Sequence, residues 1–257
     1  LSPVVSVTGT ATFDPRLVWF ANNGYVIWMC NPGGAPGYGQ AFADLHINDW
    51  GYPAGTDIIE GVQQFEKTHP FVDAGHVGNF GHSYGGFMTM HMATRTSIFH
   101  TSIEISGISN IADYWGVGWS GYSYTEGTCP SCYPWNRRDV YVDRSPLFNA
   151  DKIHTPMLLV HGTADTNVPE NESEQMFTAL RMLGRDAELV RVYGENHGIN
   201  SKPSISRHLY GVMLDWYDRY LRQEPAAWTE RWRDGNRVPG MAVGGSPSAP
   251  ATDRKSV

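Results

Sequence analysis

The sequence predicts an α/β fold, with a mostly parallel central sheet covered by helices on both faces. Three observations carry this expectation. Short apolar runs rich in β-branched residues recur along the chain, stretches of helical period separate them, and the runs are apolar throughout instead of alternating. Continuous apolar runs mark strands buried on both faces, and parallel neighbours need crossover helices between them.

Taken in order, strands are expected at 4–7, 25–30, 76–80, 101–105, 157–161 and 188–192. Ile58, Val62 and Phe65 form one helical stripe. Met176, Leu180 and Leu183 form another, with Gly184 placed as a C-cap glycine, and Leu209, Val212, Met213, Trp216 and Tyr220 form a third. Residues 109–149 break the alternation: Trp115, Trp119, Trp135 and five tyrosines lie among Gly, Ser and Pro without clear period. Such a stretch reads as an irregular aromatic-rich cap insertion or as a surface excursion stapled by aromatics. One domain over 1–222 with this insertion is expected. A weakly packed tail follows over 223–257, in which Trp228 and Trp232 could dock a last helical turn and 240–257 shows no pattern.

Composition narrows the functional classes. A chain of 257 residues, 41% hydrophobic and 18% charged, is globular and large enough to bury a full core without disulfide staples. Nineteen basic against 26 acidic residues leave a net charge of −7, which argues against a nucleic-acid surface. No run of 18 apolar residues is present, so no membrane span is expected, and the chain reads as soluble. Three cysteines are too few for a disulfide framework. The chain starts at Leu1 with no charged and apolar leader, and reads as a mature, trimmed or excised chain; its compartment is undecided.

The strongest local signal is Gly81-His82-Ser83-Tyr84-Gly85-Gly86, between an expected strand and an expected helix. That is the strand–turn–helix setting of a G-x-S-x-G nucleophile elbow. A tight turn holds the serine in a strained conformation, so small residues are needed at Gly81 and Gly85, and the new helix aims free N–H groups at the reacting centre. A serine hydroxyl needs a base, and the base an orienting carboxylate. In this fold they follow in the order Ser, Asp, His. Asp165 leaves the end of the 157–161 strand in Gly162-Thr163-Ala164-Asp165, and His197 follows the 188–192 strand in Gly194-Glu195-Asn196-His197-Gly198. Rival histidines fit less well: His82 should point into the fold, His161 reads as a buried structural residue and His208 lies on the last helix. The rival acids Asp151, Asp186 and Glu195 do not sit at the tip of an inner strand. An oxyanion needs two preorganised donors. Tyr84 N–H is one candidate, and Gly9 or Thr10, after the first strand, supplies the other.

With these motifs in place, the chain resembles the catalytic domain of the prolyl oligopeptidase family of serine peptidases, within the α/β-hydrolase superfamily. Its likeness is greatest to the dipeptidyl peptidase and acylaminoacyl-peptidase branches. The landmarks are Asn31-Pro32-Gly33-Gly34 with Gly37-Tyr38-Gly39, Asn48-Asp49-Trp50-Gly51, the elbow, His161 to Pro169, and Glu195-Asn196-His197-Gly198-Ile199. The resemblance implies a triad of Ser83, Asp165 and His197. It also implies a pocket walled by Tyr84, Tyr114 and Val168, with Asn167 holding a substrate carbonyl and Ile111 at an aromatic-wall position. Ordinary core packing is the other reading of Ile111 and Tyr114.

Three departures stand out. The early oxyanion loop reads Val7-Thr8-Gly9-Thr10, where the family has a tyrosine or His-Gly-Gly-Pro. The family's β-propeller is absent from these residues, so the chain reads as an excised fragment or a stand-alone hydrolase. Cys129-Pro130-Ser131-Cys132 lacks the ligands of a zinc site and reads as a local disulfide or two free thiols. The expectation is a serine hydrolase that works through a covalent acyl-enzyme, with no cofactor and no metal. Its substrates would be short peptides or acyl-peptides. A carboxylesterase with the same triad, or a disabled binding module, are the alternatives. No nucleic-acid or membrane partner is expected, and self-association into a homo-oligomer is left open.

Overall fold

The computed structural model describes residues 3–6, 15–233 and 241–243. Within them, β1 (Pro3–Ser6), β2 (Val26–Met29), β3 (Gly78–His82), β4 (Thr101–Ile105), β5 (Met157–Gly162) and β6 (Ala187–Val192) form a parallel sheet, and β7 (Met241–Val243) adds an antiparallel edge. The order is β2-β1-β3-β4-β5-β6-β7. The first six strands overlap the six apolar runs. The seventh lies where the sequence shows no pattern, with Met241, Ala242 and Val243 opposite Val192, Arg191 and Val190. A three-residue edge strand needs no periodicity of its own when its neighbour supplies the hydrogen-bonding ladder.

Helices fill the connections: α1 (Pro15–Asn22), α2 (Gln40–Ala43), α3 (Tyr52–Thr68), α4 (Tyr84–Ala93), α5 (Ile111–Gly116), α6 (Gly118–Thr128), α7 (Arg138–Tyr141), α8 (Asn171–Met182), α9 (Pro203–Leu221) and α10 (Ala226–Trp228). The sheet is covered on both faces, and β5 shows how. Leu158 and Val160 pack with Trp216, Val212 and Trp228 on the α9 side, while Met157 and Leu159 pack with Met176, Leu180 and Met90 on the other. Alternate residues of a strand point to opposite faces, so an apolar run with both neighbours covered buries every side chain, at roughly 1.5–3 kcal/mol for each large one. The buried Trp216 Nε1–H donates to Thr101 Oγ1 at 2.7 Å, which ties α9 to β4. Gly184, at φ +70°, ends α8 as its position predicts: Arg185 N–H donates to Leu180 O and Gly184 N–H to Arg181 O.

Residues 109–149 are largely helical, not irregular. The sequence hid this because α6 is built from Gly, Ser, Thr and Tyr, which give no apolar stripe. Its Gly121 is a contact residue: a Cβ there would fall 1.7 Å from Tyr114 O. A glycine that reads as loop punctuation instead lets α5 and α6 touch backbone to backbone. Trp228 and Trp232 are buried against α9, where the docking of a last turn was expected.

Candidate active site

The elbow lies between β3 and α4, where Ser83 adopts φ 60° and ψ −121°. A non-glycine residue held there costs about 1–3 kcal/mol and persists because its surroundings over-determine it. Ser83 N–H donates to Ile105 O at 2.8 Å, and Ser83 O accepts from Phe87 N–H at 3.0 Å, so β4 and α4 grip the turn from both sides. Gly86 makes the approach possible: a Cβ on it would lie 2.7 Å from Gly107 Cα, and one on Gly107 would meet Glu104 Oε2 and Gly86 at 2.7 Å. Tyr84 N–H, in the first turn of α4, has no partner within its helix. The other expected donor, Gly9 or Thr10, lies outside the described residues.

Ser83, His197 and Asp165 come together from three strand ends. His197 Nε2 is 2.8 Å from Ser83 Oγ, and His197 Nδ1 is 2.8 Å from Asp165 Oδ2. Asp165 Oδ1 accepts from the N–H groups of Asn167 and Val168 at 2.8 and 2.9 Å, so the carboxylate is held by its own loop. Burial pushes the Asp165 carboxyl up, but bonds from His161, His197, Val168 and Asn167 outweigh it and hold it well below the usual range. An ionised carboxylate behind a half-covered imidazole, which in turn faces a serine hydroxyl, can take up and return a proton.

The rival residues have other tasks. His82 Nε2–H donates to His197 O at 2.7 Å, and burial pushes its ring down to about 4, so it buttresses the base loop as a neutral donor. Asp186 is bound by Arg219 and Tyr220, and Glu195 by Ser201. His161 is buried and hydrogen-bonded, as its position suggests, yet its Nε2 also lies 3.4 Å from Asp165 Oδ2. That proximity was not legible as a functional relationship.

Ile111, Tyr114 and Val168 are buried in one apolar cluster against which Tyr84 packs. Tyr124 joins them, 6.3 Å from both the Tyr84 and Tyr114 rings, and Trp50 packs beneath Tyr84 and Tyr124. The sequence carries no signal for Tyr124, because α6 has no apolar stripe to mark it as a helix. Beside Tyr84 lies a cavity of about 220 Å³ bordered by Pro32, Gly34, His46, Met88 and Tyr124, with Tyr84 Oη 3.3 Å from His46 Nδ1. Burial raises the Tyr84 phenol well above its ordinary value and lowers the His46 ring, so both are neutral. Cys129 and Cys132 form a buried disulfide at the end of α6, with Arg137 Nη1 3.6 and 3.3 Å from the two sulfurs.

Residues 11–224 match the prolyl oligopeptidase family of peptidases. The chain belongs to that family. Among prolyl oligopeptidase relatives, an uncharacterized peptidase of Bacillus subtilis, YuxL, is 32% identical over 78% of this chain and 31% of its own length. A dipeptidyl-peptidase 5 of Porphyromonas endodontalis is 27% identical over 82% of this chain and 30% of its own. The chain thus spans about a third of the curated relatives it matches. Among solved structures, the acylaminoacyl peptidase of Pyrococcus horikoshii superposes with a TM-score of 0.80 at 26% identity, over 86% of this chain and 37% of that one. A puromycin-hydrolyzing peptidase of Mycobacterium tuberculosis gives 0.78 at 26% identity, over 86% and 34%. The chain is therefore a member of a serine-type peptidase family with the α/β-hydrolase fold. Among the described residues, no helix is long and apolar enough to cross a membrane.

Proposed function

We propose that the chain cleaves short peptides or acyl-peptides through a covalent acyl-enzyme on Ser83. The observation that carries this reading is the aligned contact of Ser83 Oγ, His197 and Asp165, at 2.8 Å for each link, on a strained elbow. Ser83 Oγ attacks the carbonyl carbon while its proton passes to His197 Nε2. Asp165 accepts the Nδ1–H bond throughout and keeps the ring in the tautomer that can do this. The oxyanion faces Tyr84 N–H and a second donor in the Gly9 region. As the C–N bond breaks, His197 returns its proton to the leaving amine. Water then attacks the acyl-enzyme by the reverse proton path, which frees the acid and restores Ser83.

Peptide substrates are favoured because a dipeptidyl-peptidase is 27% identical to this chain and an acylaminoacyl peptidase shares its fold. The aromatic cluster of Tyr84, Tyr114, Ile111 and Val168 forms the acyl-side wall in this reading, and Asn167 holds a substrate carbonyl. A paired assay tests it, with p-nitroanilides of Gly-Pro and acetyl-alanine in one arm and p-nitrophenyl butyrate in the other, each against Ser83→Ala. Amide turnover that vanishes in the variant supports the peptidase reading. Ester turnover alone replaces it with an esterase. Silence in both arms, with no fluorophosphonate labelling of Ser83, leaves a binding module.

A further inference from the structure

The geometry points to His161 as a positioning residue for Asp165, its orientation locked from behind by Ser173 and Glu104; this rests on the proposed role of the triad. Four buried groups form one line from the sheet to that site. Glu104 Oε1 accepts from Ser173 Oγ at 2.6 Å, Ser173 Oγ contacts His161 Nδ1 at 2.6 Å, and His161 Nε2 meets Val168 O at 2.9 Å and Asp165 Oδ2 at 3.4 Å. Glu104, Ser173, His161 and the Asp165 side chain are all fully buried, so no solvent competes for these contacts.

Counting donors settles the ring's orientation. Val168 O and ionised Asp165 only accept, so His161 Nε2 carries a proton. On the far side, Ser173 has one hydroxyl proton for two neighbours. If it goes to a Glu104 carboxylate, then Nδ1 is also protonated and His161 is an imidazolium. If it goes to Nδ1, then Glu104 carries a proton and gives it to Ser173. The two arrangements differ only by proton transfer along the line, and both present Nε2–H to the Asp165 turn. A ring whose far nitrogen is fixed in this way cannot flip or exchange tautomer.

The surroundings agree. Burial alone would lower the His161 pKa, but its bond to Asp165, the Glu104 charge and the Val168 carbonyl raise it above the ordinary value. Burial likewise raises Glu104. The other titratable groups nearby are turned elsewhere or act on Asp165 directly. Glu172 of α8 faces the Ser109 and Asn110 amides, Glu195 faces Ser201, and His82 faces the His197 carbonyl. His197 bonds Asp165 itself, and the Tyr114 phenol, raised mainly by burial, also feels the Asp165 charge. Asp165 therefore divides its charge between two imidazoles, and His161 sets how much of it acts on His197.

The test measures kcat and KM for p-nitrophenyl butyrate from pH 5 to 8 in the wild type, His161→Gln and Ser173→Ala. The wild type is first titrated with a fluorophosphonate probe. With His161→Gln, which removes the imidazole and its contact with Ser173, kcat is expected to fall about 10-fold or more, by analogy with the outer partners of metal-ligating histidines, while KM stays within twofold. The acidic limb of kcat/KM should move to higher pH by at least half a unit, because more of the Asp165 charge then acts on the base. Ser173→Ala keeps the imidazole but removes the lock on its Nδ1, and should shift the limb in the same direction by less. A loss of rate in both variants with superimposable pH profiles would overturn the assignment, as would full activity in His161→Gln. Failure of the wild type to take the probe at Ser83 overturns the triad reading first and this one with it. A labelled wild type with unshifted variants overturns only this one.

Discussion

Gly162 and Glu195 meet where the end of β5 passes the loop that carries His197: a Cβ on Gly162 would stand 2.4 Å from Glu195 O. The same carbonyl accepts from Ala164 N–H at 3.0 Å, so this contact sets the distance between the acid turn and the base loop. Gly162→Ala must push the two apart. The expected result is a loss of about 1–3 kcal/mol in urea unfolding, typical of overpacking, with a rate at least about 100-fold lower, since misplacement by about an ångström has that effect. Gly184→Ala, at a positive φ far from the site, is the control. It should lower stability by about 1–2 kcal/mol, the cost of an L residue in the left-handed region, and leave the rate unchanged.

Asp165→Asn should lower kcat by about 10⁴-fold while the protein still folds, because an amide cannot accept from both rings and its own loop. Stopped assays on purified protein, with circular dichroism to verify the fold, would read both effects. The acid response also changes. A carboxyl depressed on folding stabilises the protein above its ordinary value of 3.8, and that contribution is lost as pH falls through the lower folded value. Urea midpoints of the Asn variant should therefore fall less steeply than those of the wild type below pH 4.

Glu172 responds in the opposite direction. Burial pushes its carboxyl from 4.5 up to about 8, against the pull of the Ser109 and Asn110 amides. Between those values the folded state holds the proton and the unfolded state does not. Its contribution is then complete below about 4.5 and declines as pH rises to 8. Glu172→Gln imitates the protonated form. Its thermal midpoint should be close to that of the wild type at pH 5 and above it at pH 9, and a constant difference across that range would refute this account.

The Cys129–Cys132 bridge closes a short loop at the end of α6, whose Tyr124 lies between Tyr84 and Tyr114. The double variant Cys129→Ser, Cys132→Ser should lose about 2 kcal/mol, the chain-entropy value for so small a loop. Ester hydrolysis should persist with kcat within a few-fold and a raised KM, because the wall loosens and the relay does not. An unchanged KM in steady-state assays would separate the disulfide from the pocket.

The chain itself determined the sheet, its buried faces and the three residues that meet at the proposed relay. Strands covered on both sides must be apolar throughout, and a nucleophile elbow needs small residues at fixed spacing. An acid and a base that leave successive strand ends are likewise visible in linear order. Tertiary structure alone decided what lies behind and beside them. His161 reads in sequence as one more buried histidine, because Glu104 and Ser173 are 57 and 12 residues away and only the packing of α8 against β4 and β5 aligns them. Gly121 reads as a breaker until α5 is seen against it, and β7 has no signal because its ladder belongs to β6. Local patterns record what a residue needs from its neighbours in the chain. Contacts between distant segments depend on shape and on the supply of protons and lone pairs, which no single stretch of sequence carries.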